Sequence, residues 1–206
     1  MVYGIIIHSS ECAEKFYFSS YYSMENNDED DCIRQRTIVA RVIDEINYYE
    51  DGKAKSDNTN KSQREKYLDL LGSFLSKNVN NEVKIDNEGF FRIVDSSLFK
   101  NKINILWKVL NKICYTLVLY AHENIHLADY FLHTFINVMR EHHDMEKRKN
   151  SKNDVDLFNP DTVLAVLYFF LPKGQLMLID DNHAKILSTR VQQFLGGKVK
   201  LPPKNS

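Results

Sequence analysis

Short, dense apolar runs alternate along the chain with stretches in which apolar residues recur every three or four positions, and this change of period predicts the elements. The densest run, Ile113–Ala121, is rich in β-branched and aromatic residues and reads as a strand covered on both faces. It breaks at His122-Glu123-Asn124. Beyond the break, Ile125, Ala128, Leu132 and Phe135 recur at helical spacing, with Leu127 and Phe131 beside them. Asn124 is a natural cap for a helix that starts there. That helix is expected to end near Glu141. His142-His143 would then lie at its C-terminus, where the helix dipole favours cations, and a charged segment over 144–154 would follow.

The same reading extends to both sides. Val2–His8 predicts a central strand and Lys15–Tyr22 a second strand joined to it by a short loop. The acidic stretch Glu25–Asp31 reads as a solvated loop without calcium-loop spacing. Ile33–Tyr49 predicts a helix with Val39, Val42, Ile43, Ile46 and Tyr49 on its buried stripe. Arg34, Arg41, Asp44 and Glu45 would face outward, and the turn signal Asp51-Gly52 would end the helix. Residues 52–87 read as a variable insertion that is polar at first, with a possible extra helix over Tyr67–Leu75. Gly89–Val94, Ile103–Leu110 and Lys112–Ala121 predict three strands, with Ile103, Ile105, Trp107 and Val109 on one face of the second. The link Asn111-Lys112 is too short for a parallel crossover, so the last two strands should form an antiparallel hairpin. Pro160 suits the first turn of a helix buried through Val163, Val166, Leu167 and Phe170, with Pro172-Lys173-Gly174 ending it. Ala184–Leu195 predicts a final helix built on Ile186, Leu187, Val191 and Phe194, and 196–206 a disordered tail.

Two strands, a helix, three strands and then helices make an α+β domain over 1–195. The compact solution is a five-stranded, mostly antiparallel sheet with helices on both faces, the outline of a longin-like fold.

Composition narrows the chemistry. With 43% hydrophobic residues the chain can bury a substantial core, and 27 basic against 28 acidic residues leave no long-range field for nucleic acid or anionic lipid. Cys12, Cys32 and Cys114 lack ligand spacing and suit free thiols in a reducing compartment. No apolar stretch reaches the roughly 20 residues of a membrane span, and the first residues read as a strand rather than a signal peptide.

One motif points to catalysis. His122-Glu123-Asn124-Ile125-His126 fits the H-E-x-x-H pattern of zinc hydrolases, in which two histidines one helical turn apart hold the metal and the glutamate activates water. That chemistry needs a helix already running at His122 and a third ligand such as Glu141. The strand predicted up to Ala121 argues instead for a strand-to-helix corner whose polar groups satisfy local backbone. The chain carries no phosphate loop, nucleophile elbow or CxxC pair.

Two separated segments carry a resemblance. Leu117-Val118-Leu119-Tyr120-Ala121-His122-Glu123-Asn124, followed by Leu127-Ala128, is similar to the strand-to-helix corner of the sigma subunit of the fifth adaptor-protein complex. Phe170-Leu171-Pro172-Lys173-Gly174-Gln175-Leu176-Met177 resembles the F-L-P-x-G-Q-L segment of the same family. Met1–His8 and Val109-Leu110 also fit, in the right order. The resemblance implies a non-catalytic, longin-like small subunit of a heterotetrameric adaptor that needs no cofactor and holds no metal. Its family residues Ala121, His122, Glu123, Asn124, Phe170, Leu171, Pro172, Gly174 and Gln175 would be structural. Implied partners are the zeta large subunit, directly, and the beta and mu subunits, with spatacsin and spastizin reached through the complex. The implied location is the cytosolic face of late endosomes and lysosomes, with only peripheral membrane contact. A free-standing longin module of another trafficking protein is the alternative reading.

Overall fold

The computed structural model describes residues 1–22, 30–55, 84–93, 98–149 and 159–197. Five strands, β1 (Val2–Ser9), β2 (Phe16–Tyr21), β3 (Asn87–Ile93), β4 (Ile103–Leu110) and β5 (Ile113–Tyr120), form one sheet in the order β2-β1-β5-β4-β3. All four pairings are antiparallel. Among the described residues the helices are α1 (Asp31–Lys55), α2 (Ile125–Lys149), α3 (Pro160–Phe170) and α4 (Asp181–Leu195), with a 3₁₀ turn at Pro172–Gly174.

Strand alternation splits the core into two layers. Ile103, Ile105, Trp107 and Val109 of β4 join Cys114 and Val118 of β5 against Ile38, Val39, Val42 and Ile46 of α1. On the other face, Ile113, Tyr115, Leu117 and Leu119 of β5 pack with α2, α3 and α4 through Phe131, Phe135, Val166, Phe170 and Val191. The three inner strands, β1, β5 and β4, are buried along nearly their whole length, which is why they read as dense apolar runs. The β4–β5 hairpin closes through Asn111 and Lys112, with φ of 51° and 66°. Two successive left-handed residues match the twist of the flanking strands.

Several boundaries differ from the sequence expectation. α1 runs through Asp51-Gly52 to Lys55, so the insertion expected from residue 52 begins inside a helix. A single glycine costs a helix about 1 kcal/mol, which is not a stop. Arg34, expected outside, is buried: its Nε donates to the Leu98 carbonyl at 2.5 Å and its guanidinium pairs with Asp31 at 3.2 Å. α2 continues past His142-His143 to Lys149, so the pair lies more than a turn from the helix end. His142 is only 5% exposed and sits on the buried face, a packing position rather than a terminal cation. Ile186 of α4 is exposed, because the buried stripe is Ala184, Leu187, Val191 and Phe194 and Ile186 stands about 100° from its neighbour Leu187. The expected helix over Tyr67–Leu75, the polar start of the insertion after Lys55 and the tail beyond Gly197 lie outside the described residues.

Candidate functional site

The strand-to-helix corner is built by backbone bonds. Ala121 N–H donates to the Lys102 carbonyl at 3.1 Å, holding the chain beside the start of β4, and Glu123 N–H donates to the Tyr120 carbonyl at 3.0 Å. Asn124 then caps α2. Its side-chain oxygen accepts from Leu127 N–H at 3.1 Å and its carbonyl accepts from Ala128 N–H at 3.0 Å. Glu123 turns back to receive the amino group of Met1. The exposed imidazole of His122 stacks on Tyr120, with ring centroids 5.7 Å apart and planes 11° from parallel.

The helix therefore begins after His122. His122 stands on the corner and His126 in the first helical turn, so the two do not share a helical face. The Glu123 carboxylate is already engaged by a cation. The H-E-x-x-H residues are adjacent in sequence but not arranged as ligands, and no group of three His, Cys, Asp or Glu among the described residues could hold a metal ion.

The second segment ends α3. Asn159 caps that helix by accepting from Asp161 N–H, and Pro160 takes the first turn, where its missing N–H costs nothing. Phe170 and Leu171 are buried in the core. Leu171 N–H closes the last helical bond on the Leu167 carbonyl at 2.9 Å, and the tight turn follows with Gly174 N–H on the Leu171 carbonyl at 3.0 Å. Lys173 and Gly174 both take left-handed backbone, with φ of 52° and 75°. Gln175 is exposed, and its N–H donates to the Pro172 carbonyl at 3.0 Å.

The two segments, 46 residues apart between Asn124 and Phe170 in the sequence, meet on the first strand. Glu123 holds Met1 directly. Gly174 seats against the ring of Tyr22, and Tyr22 N–H donates to the Tyr3 carbonyl at 2.9 Å. The corner and the turn thus grip the start of β1 from two sides. An open cleft of about 470 Å³ lies next to the corner, lined by Asn101, Lys102, Tyr120, Ala121 and His122.

Two buried polar constellations, at Lys108 and at His8, were not legible as such. Lys108, 4% exposed, reaches Glu88 at 2.5 Å and Asp129 at 2.8 Å, tying β3, β4 and α2 together. Burial works against its charge, but the two carboxylates more than offset it and its pKa is raised. His8 is wholly buried: its Nδ1–H donates to the Ser9 carbonyl at 2.8 Å and the Thr116 hydroxyl donates to Nε2 at 3.1 Å. Burial pulls its pKa down from 6.5 to about 4. Cys114, beside Thr116, is pushed up to about 12 by burial, so it is an inert core thiol. A charged residue inside an apolar strand pattern, as at Lys108, was the one available signal.

These groups offer packing, capping and ion pairing, and the hydroxyl that meets an imidazole among them, Thr116 on His8, is sealed in the sheet with both residues wholly buried. A family model described as AP-5 complex subunit sigma-1 matches residues 1–192. The Homo sapiens protein named AP-5 complex subunit sigma-1 is 29% identical over 94 residues, which are 46% of this chain and 45% of the human one. The aligned part thus spans less than half of that relative. Among solved structures, a chain from a structure titled "Homology model of the full-length AP-3 complex in a stretched open conformation" matches with a TM-score of 0.48 and 15% identity, covering 96% of this chain and 95% of that one.

Proposed function

The chain belongs to the AP-5 complex subunit sigma-1 family, and from that premise we propose that it is a non-catalytic scaffold, the small subunit of a heterotetrameric adaptor in endosomal and lysosomal protein transport. One observation carries the reading: the family match runs from residue 1 to 192 and takes in both the corner and the turn that converge on β1. In this reading Ala121, His122, Glu123 and Asn124, with Phe170, Leu171, Pro172, Gly174 and Gln175, are structural. They tie the start of the first strand to the corner before α2 and the turn after α3, so that the domain presents a rigid surface to a larger partner. That partner is the zeta large subunit, with the beta and mu subunits alongside and spatacsin and spastizin engaged through the complex.

The unit that docks is a single longin-like domain over 1–195, with a variable segment after α1 and a tail from 196. Permanent subunit interfaces of this kind bury on the order of 2,000 Å² or more, which a sheet covered by helices on both faces can supply at this size. No helix among the described residues is long and apolar enough to cross a membrane, and we place the chain on the cytosolic face of late endosomes and lysosomes through the complex.

The test is affinity purification of the tagged chain from its own cells, with metal assayed on the product. Stoichiometric recovery of the zeta, beta and mu subunits supports the reading. One zinc per chain with no adaptor subunit would overturn it.

A further inference from the structure

α3 carries eight consecutive apolar residues, Val163 to Phe170, so it is apolar around its whole circumference. A helix of that kind is normally enclosed on every side, and its 11 residues fall well short of the roughly 20 that cross a bilayer. Yet Leu164 and Tyr168, one turn apart on the same face, are 52% and 56% exposed. The open surface continues onto α4. The Tyr168 ring stands edge-on to Phe169 at 5.1 Å, Phe169 stands edge-on to the half-buried Phe194 at 6.3 Å, and Leu195 is again exposed. On the opposite layer, the exposed large apolar residues among the described side chains of α1 are Ile33 and Tyr48, about four turns apart, and those two form no comparable strip.

We propose that the strip formed by Leu164, Tyr168, Phe169, Phe194 and Leu195 is where the large adaptor subunit docks, through the apolar face of one of its helices. The proposal rests on the adaptor-subunit reading and names its contact. Membership of a family of complex subunits means that another chain covers part of this surface, and an apolar strip left open on an isolated subunit is the part that gains most from cover. Leu164 and Tyr168 form an i, i+4 ridge, and the step down to the α3–α4 seam is the relief into which a crossing helix packs. Tyrosine and phenylalanine are the side chains that anchor such contacts, with a large apolar face and, for tyrosine, a hydroxyl that can stay at the rim. Asp161, an exposed carboxylate one turn before Leu164, disfavours anionic lipid as the occupant.

The test is co-expression of the full-length chain with the zeta large subunit. Wild type is compared with Leu164→Asp/Tyr168→Asp and with the control Ile33→Asp/Tyr48→Asp. Thermal melting of each free chain checks the fold, which substitutions at exposed positions should preserve. The expected result is equal co-purification of wild type and control, and at least about tenfold less large subunit with the α3 variant. Equal recovery of the α3 variant would overturn this surface while leaving the adaptor reading intact. Failure of wild type to co-purify would overturn that reading and this proposal with it. A free chain that sediments as a dimer dispersed by the α3 substitutions, or that floats with anionic vesicles unless they are made, would also overturn the assignment.

Discussion

A side chain at position 174 would place its Cβ 2.6 Å from the ring of Tyr22, and the backbone there already has φ of 75°. Glycine is required on both counts. The left-handed backbone costs an L residue roughly 1 kcal/mol, and pushing back a packed ring costs roughly 1–3 kcal/mol more. Gly174→Ala should therefore lower stability by about 2–4 kcal/mol in urea unfolding. Gly174→Ala should cost less in a Tyr22→Ala background than in the wild type, because that background lacks the ring that the new methyl strikes. An equal cost in both backgrounds would mean that backbone strain alone is responsible.

Lys108 makes an asymmetric prediction. Removing both carboxylates, Glu88→Gln with Asp129→Asn, leaves a buried ammonium without a counter-charge and should cost about 3–5 kcal/mol. Lys108→Met leaves instead two carboxylates that are 39% and 24% exposed and can take up water, and its methylenes keep the apolar packing. Its cost should be clearly smaller, about 1–2 kcal/mol. Chemical denaturation of the two variants ranks them, and equal losses would show that the ion pairs do not set the energy.

The sheet was legible because burial on both faces writes itself into composition. Ile103–Leu110 was read with the bounds the strand has, and β5 to within a residue. Helix ends were less legible, because they depend on competition. At Gly52 the rest of α1 outweighed one poor residue, and beyond His143 a run of good helix formers, Met145-Glu146-Lys147-Arg148, carries α2 to Lys149. Arg34 looked solvent-exposed because a sequence pattern does not show that a distant carbonyl, that of Leu98, will come within reach of a buried guanidinium. The corner at His122 was read correctly from the change of period, and Asn124 caps the helix as expected. The pairing of Glu123 with Met1 and the seating of Gly174 on Tyr22 had no local signal, since both join residues far apart in sequence.

Asn124→Ala should cost about 1 kcal/mol, the usual worth of an N-cap side chain, and Asn124→Asp should be close to neutral because aspartate also accepts from Leu127 N–H. His122→Ala and His126→Ala, both at exposed positions, should each change stability by less than about 0.5 kcal/mol. Parallel urea titrations of the four variants separate capping from any role for the histidines. A large loss at His122 together with His126 would restore the idea that they act as a pair.

His8 sets a pH dependence whose sign follows from its burial. In the folded chain it protonates only near pH 4, whereas an unfolded chain protonates it near 6.5. Between those values the unfolded state binds the extra proton, so stability is fully present above about pH 6.5 and is lost as the pH falls towards 4. From about pH 7.5 to about pH 5 this one group should remove about 2 kcal/mol. Other carboxylates and histidines also respond over that range, so the measurement is a difference. Denaturation midpoints of wild type and His8→Gln, which cannot titrate, are compared at the two pH values. The wild type should lose about 2 kcal/mol more than the variant on acidification, and an equal loss in both would mean that His8 keeps its ordinary affinity for protons inside the sheet.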